Sequence, residues 1–416
     1  MAWCGLDFGT SNSTLGLADG NAARLAPLEN GAVTLPSALF FDAETGEPVF
    51  GRSAIAAYIE GGDGRLMRSL KSVLGSDLMD QETRLGTRKI HFQEAIGLLL
   101  GHIKLLGEAA AGHKLDSVVQ GRPVHFVDDD EAADAKAQAT LEDVLRQTGF
   151  RQISFQYEPI AAALHYESTL AREELAVIAD IGGGTSDFSV VRLGPDRAKL
   201  PDRSADILAN DGVRVGGTDL DRLASLASIM PELGYGHSVR NDGLKAPVAL
   251  YHDFATWAKI NFLYVHSVLA AVRQMKRTVR NPIPFERMET ALEERLGHWL
   301  ALQAESAKIA LSQAEDTRID LGRIEPGLGV WLDRAQFGRA IEDSMTKIGD
   351  VIERCVKSAG VAPEKIDSLV MTGGSALLPM VRDALSSRLP SARLVDADHF
   401  GAIGLGLALE AQRRYA

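Results

Sequence analysis

Apolar residues at 2–8 read as a short buried strand. The polar turn Gly9-Thr10-Ser11-Asn12-Ser13 follows, and then a second apolar strand over 14–17. Strand, small polar turn and strand predict a hairpin. The arrangement recurs later, with an apolar strand over 175–180, a turn over Ile181-Gly182-Gly183-Gly184-Thr185-Ser186-Asp187, and another strand over 188–193. Residues 366–371 predict a strand that runs into Gly373-Gly374-Ser375, with a helix-like stretch over 380–389 beyond. Residues 118–127 predict a strand interrupted by Gly121-Arg122-Pro123. Helical spacing marks 92–110, 131–148, 402–414 and 335–358, the last carrying Phe337, Ile341, Met345, Ile348 and Ile352. Gly216-Gly217 precede a helix-like run over 218–229, with Thr218 expected to cap it. Strands alternating with helices give an α/β class.

Length and charge narrow the picture. A chain of 416 residues is too long for one core, so two or more domains are expected. A net charge of -12 disfavours a basic nucleic-acid face or a membrane-surface patch. The most apolar stretch, 260–272, is interrupted by Asn261 and His266 and is too short to span a bilayer. No basic region, apolar core and cleavage site open the chain, so no signal peptide is expected. Cys4 and Cys355 are far apart, as expected of buried thiols in a reducing compartment, and the location expected is cytoplasmic. His102, His113, His165 and His298 show no metal-ligand spacing and are expected as surface or core residues.

The glycine turns are the candidate chemistry. Three glycines in a row are costly to order and are not needed in a plain hairpin. They make sense where backbone approaches a phosphate chain with no Cβ in the way. The Lys-Ser/Thr of a P-loop is missing, and a strand, not a helix, follows the glycines, which sets aside the dinucleotide fingerprint. Asp7 and Asp180 each end a strand beside such a turn, and Asp187 follows the second. An inward carboxylate is costly to bury unless it is paired or near a cation. Taken alone, the first turn reads equally as a hairpin with a buried, hydrogen-bonded Asp. The repetition is what suggests a duplicated domain presenting two loops to one anion.

The chain resembles the ATPase domain of DnaK-type heat-shock chaperones, and within them the YegD-like branch of short relatives. The matching segments run in order. They are residues 5–13, residues 180–187, Tyr157-Glu158-Pro159-Ile160-Ala161-Ala162-Ala163, Glu305-Ser306-Ala307-Lys308 with Leu311-Ser312, Gly373-Gly374-Ser375 through Pro379, and finally Asp398 and Gly404. The resemblance implies a duplicated actin-like ATPase fold of ribonuclease-H-like halves, with two lobes around a central nucleotide cleft. The first lobe would be 1–170, with its large subdomain at 1–36 and 93–170 and its small one at 37–92. The second would be 171–416, with its large subdomain at 171–218 and 306–416 and an enlarged small one at 219–305.

The resemblance also implies ATP or ADP with Mg²⁺ as cofactors. Asp7, Asp180 and Asp187 would surround the metal. Glu158 would orient the attacking water and Asp180 polarise it. Lys71, in a segment like the family's Ala-Lys-Arg-Leu-Ile-Gly, would reach the γ-phosphate. Gly9, Thr10, Ser11, Asn12, Gly182, Gly183, Gly184, Thr185, Gly216 and Gly217 would hold the phosphates, with Thr185 counted among the catalytic groups. Glu305, Lys308, Ser312, Gly373, Gly374, Ser375 and Asp398 would line the nucleoside. The implied activity is slow, Mg-dependent ATP hydrolysis with lobe closure, by positioning and charge stabilisation without a covalent intermediate.

Three positions depart from the pattern. Ser72 replaces the arginine after the lysine, and Ile309 and Leu377 stand where two arginines usually clamp the adenine. Weaker base selectivity is the expectation. The segment from Gly217 to Glu305 is longer than the family's usual length here. Its residues Phe254, Trp257, Ile260, Phe262, Leu263, Val265 and Leu269 are expected mainly in an internal core, with a surface for an unidentified protein partner as the alternative. Asn281-Pro282-Ile283-Pro284 should interrupt its helices. The sequence ends at Ala416 after its last expected helix, where the full chaperones continue into a peptide-binding domain, so peptide capture in the usual way is not expected. Rival readings are a small-molecule kinase on the same fold and an actin-like filament protein. Nothing in the sequence names an oligomeric state.

Overall fold

The computed structural model describes residues 3–19, 22–85, 88–200, 203–239 and 244–416. Ala2, the first residue of the expected opening strand, lies outside them. The chain divides into two compact units, Met1–Gly217 with Thr346–Ala416, and Thr218–Met345.

The first unit is built on two sheets. Their strands are β1 (Trp3–Phe8), β2 (Asn12–Asp19), β3 (Ala22–Leu25), β4 (Ser117–Arg122), β5 (Gln152–Tyr157), β6 (Glu174–Ile181), β7 (Ser186–Leu193), β8 (Ile207–Val213), β9 (Ser368–Thr372) and β10 (Arg393–Asp396). One sheet runs β3-β2-β1-β4-β5, with Leu35–Pro36 added against β2, and the other runs β8-β7-β6-β9-β10. Numbered within each half, both orders are 3-2-1-4-5. The pairing repeats too. The first three strands of each half are antiparallel, and the last two join in parallel. Two copies of one mixed topology are the structural form of the repeat seen in the glycine turns.

The inner strands are apolar on both faces because helices cover them. All of Ser368–Thr372 is buried, and Glu174–Ile181 is buried apart from Leu175. The helix Glu158–Glu167 packs Ile160, Ala162, Ala163 and Tyr166 against Ala176, Ile178, Val191 and Val370. Its other side packs Ala161 against Leu407 and Ala411 of the helix Ala402–Tyr415 and Val119 of β4. The three successive alanines allow this close two-sided packing. A larger side chain there would overpack both contacts, at about 1–3 kcal/mol.

Most predicted elements appear within a residue or two of their expected ends. The strand expected through Val127 stops instead at Arg122. Pro123 has no N–H to continue the ladder. Arg122 turns its guanidinium back onto the carbonyls of Pro123 and Val124 and onto Asp134. Thr218 lies inside its helix, Gly217–Ser228, and not before it, so it does not hold the capping position expected of it. Both cysteines are free and buried, and burial pushes their thiols up, Cys355 to about 12.

In the second unit, helices Val248–Phe254, His266–Thr278, Ile283–Glu293 and Gly297–Ala310 and the hairpin Asp316–Asp320/Gly329–Asp333 are the main elements. Tyr251, Phe254, Ile260, Phe285 and Met288 are fully buried, and Trp257 nearly so, while Val265 is exposed. Proline lets the helix Ile283–Glu293 start after the break at 279–282. His298 is buried and its ring lies beside Trp257, as a core histidine does. Among the described residues, no helix is long and apolar enough to cross a membrane.

Candidate nucleotide site

Four glycine-bearing turns of the first unit meet. The β6–β7 turn folds on itself, with Gly182 N–H donating to the Thr185 carbonyl at 3.0 Å. The Gly182 carbonyl accepts from Gly217 N–H at 2.9 Å and from the Ser375 hydroxyl at 3.2 Å. A Cβ on Gly183 would lie 2.4 Å from Ser11 Oγ, and one on Gly184 2.6 Å from Thr10 Oγ1. A Cβ on Gly216 would lie 2.6 Å from the backbone of both Gly183 and Gly184. The β1–β2 turn, 216–217 and 373–375 therefore all touch the β6–β7 turn at its bare glycine backbone. Gly9 is held by the Ser37 hydroxyl on its carbonyl at 2.6 Å, and Asn12 opens β2 opposite Pro36.

Strand register places the carboxylates beneath these turns. Asp7 pairs with Thr14 across β1–β2, and Asp180 with Asp187 across β6–β7. Glu158 reaches the same place from the first turn of its helix. Carboxylate oxygens of Glu158, Asp180 and Asp187 all lie within 4.8 Å of one another. All three residues are buried, as is Asp7. Asp187 Oδ1 accepts from Val124 N–H at 2.7 Å, while Asp180 Oδ1 is buried with no hydrogen-bond partner.

Burial and mutual repulsion shape the charge state. Burial, then the neighbouring Glu158, push Asp7 up to about 7 against the pull of Lys71. Burial pushes Asp187 to about 7 although the Thr185 hydroxyl and Val124 amide favour its anion. Burial, Glu158, Asp187 and Asp7 drive Asp180 well above the usual carboxylate range. Lys71 Nζ donates to Glu158 Oε1 at 2.5 Å. Burial opposes the charge on Lys71, but Glu158, Asp7 and Asp187 outweigh it and hold the ammonium protonated.

Lys71 sits in a single 3₁₀ turn, Leu70–Val73, entered through Ser69 in the left-handed region at φ 59°. Arg214 braces this turn. Its guanidinium donates to the Ser72 carbonyl at 2.7 Å, and its own N–H donates to Asp128. Sequence reasoning did not single out Arg214, because nothing local signals a contact across 142 residues. Asp398 accepts from Phe400 N–H at 3.2 Å in the turn before the helix Ala402–Tyr415.

Glu305, Lys308 and Ser312 belong to the second unit, on the helix Gly297–Ala310 and just past its end. Lys308 is nearly buried and pairs with Asp221 at 2.7 Å, a partner the sequence did not reveal. Ile309, next to it, is 60% exposed. Among the described residues, no group able to hold a metal includes a histidine.

Paired mixed sheets whose glycine turns meet over buried carboxylates are consistent with an actin-like ATPase fold. The family model described as Hsp70 protein matches residues 3–225 and 285–412, and the chain belongs to that family. It is an Hsp70-family, chaperone-type ATP-binding protein. The internal stretch left unmatched, 226–284, falls within the second unit and carries Tyr251, Phe254 and Trp257.

Proposed function

We propose that this protein is a slow Mg-dependent ATPase of the YegD-like branch, in which nucleotide drives closure of two lobes. The observation that carries this reading is the buried group Glu158, Asp180 and Asp187 under four touching glycine turns. The group suits a hard cation. Mg²⁺ takes oxygen ligands at about 2.0–2.1 Å and keeps several waters, so carboxylates a few ångströms apart serve it directly or through water. The orphaned Asp180 Oδ1 is the kind of buried acceptor that such an ion or its water satisfies.

Bound Mg²⁺ would neutralise phosphate charge and lower the proton affinity of these carboxylates. The residues of the chain do the rest. Backbone N–H groups of 9–11 and 183–185, with the Thr10 hydroxyl, hold the phosphates, while the Thr185 hydroxyl steadies Asp187. Asp180, as the anion, accepts a hydrogen bond from the attacking water, and Glu158 orients it while fixing Lys71. Lys71 places a positive charge where negative charge grows on the γ-phosphate. Asp7 adds negative charge beside Glu158 and Lys71. Asp398 and 373–375 are proposed for the nucleoside, and the resemblance alone adds Glu305, Lys308 and Ser312.

Single-turnover hydrolysis with γ-labelled ATP and Mg²⁺ tests the proposal. Release of inorganic phosphate over minutes, abolished by Asp180→Asn, is expected. Phosphate transfer to a small acceptor, or no hydrolysis at all, would overturn it.

A further inference from the structure

Phe400 has an environment that the ATPase reading leaves unexplained. It is 47% exposed, and among the described residues of the first unit no other phenylalanine or tryptophan is exposed. Its turn is built. Asp398 Oδ1 accepts from Phe400 N–H, and the Asp398 carbonyl accepts from Ala402 N–H at 3.1 Å. The ring lies against Gly374, where a Cβ would be 3.2 Å from ring carbon Cε1 and 3.5 Å from Cζ. The preceding residue, Gly373, holds φ 81°, and a Cβ there would lie 2.8 Å from Asp180 Oδ1. One two-glycine segment thus touches a carboxylate of the phosphate site on one residue and an open aromatic ring on the next.

We propose that Phe400 is the base-stacking residue of the site and makes it a purine site. This rests on the nucleotide reading above. With Leu377 where an arginine would be expected, no guanidinium from that position covers the base, and a phenyl ring does so by dispersion and area. Stacking tolerates any ring with a π-face but gains more from a purine than from a pyrimidine. A phenyl ring offers no donor or acceptor to the ring edge, so it does not separate adenine from guanine.

The test titrates the full chain with the Mg²⁺ complexes of ATP, GTP, CTP and inorganic tripolyphosphate, for the natural protein, Phe400→Ala and Phe400→Trp. Phe400→Ala should weaken ATP and GTP about tenfold and CTP less, while tripolyphosphate binding stays unchanged. Phe400→Trp should restore purine binding, with added ADP quenching the extra emission that this tryptophan contributes over the four of the natural protein. Unchanged ATP and GTP affinity in Phe400→Ala would overturn the inference alone. So would an equal loss for tripolyphosphate, since that marks general damage. A natural protein that binds neither nucleotide nor tripolyphosphate would overturn the nucleotide reading, and this inference with it.

Discussion

Lys71 Nζ and Glu158 Oε1 meet at 2.5 Å, both side chains buried, although 87 residues separate them in the chain. The pair gathers one positive charge into a group of four acidic residues. Replacing Lys71 by alanine should slow single-turnover hydrolysis by about 100-fold, as loss of a charge that acts on the transition state does. The melting temperature should fall as well, because Glu158 is left buried without its counter-charge. An unchanged rate in Lys71→Ala would rule out the role.

Gly216 lies against the backbone of Gly183 and Gly184, and no flexible side chain stands between to give way. Gly216→Ala should therefore spread the phosphate turns. We expect at least tenfold weaker ATP binding and a stability loss of about 1–3 kcal/mol, read by calorimetry and thermal melting. Native ATP affinity in Gly216→Ala would show that the contact does not shape the site.

The acid limb of stability has a source away from the site. Burial raises the Glu108 carboxyl, but Lys104, Lys114 and the Leu115 amide outweigh it and bring it from 4.5 down to about 2. The pKa is depressed on folding, so its contribution is complete above pH 4.5 and is lost as pH falls toward 2. Glu108→Gln should flatten the stability profile across that window. At neutral pH it should cost about 1 kcal/mol, discounted because Lys114 is solvent-screened. An acid limb identical to the natural one in denaturant melts would contradict this.

The family resemblance that assigns Ile309 and Leu377 to the base implies weak base selectivity. Ile309 and Leu377 are both exposed and offer area but no fixed donors. A mild preference for ATP over GTP is expected in competition titrations. Ile309→Arg with Leu377→Arg should tighten ATP clearly. Strong ATP selectivity, unchanged in the double variant, would show that backbone near Gly373 and Gly374 reads the base.

What the sequence disclosed was local. Each hairpin was legible because apolar strands flank a polar turn within about fifteen residues, and three glycines in a row have few uses. The helix over Phe92–Ala111 was legible from its period. Contacts between distant segments were not. Glu158 was joined to Asp180 and Asp187 only through the family resemblance, and the Arg214 brace on Ser72 and the Lys308–Asp221 pair join residues that no local pattern links. Thr218 misled because a threonine after two glycines has the composition of a cap, while the helix had already begun at Gly217. The twin sheet order was implied by the repeated turn, but only strand pairing displays it.

In the proposed function the buried carboxylates and glycine turns together bind ATP with Mg²⁺. Calorimetric titration of ATP into the protein, with Mg²⁺ and then with a chelator, tests it most directly when repeated on Asp180→Asn. Tight binding with Mg²⁺, a loss of at least tenfold without it, and a much smaller Mg²⁺ effect in the variant are expected. Equal ATP affinity with and without Mg²⁺ in the natural protein would contradict it.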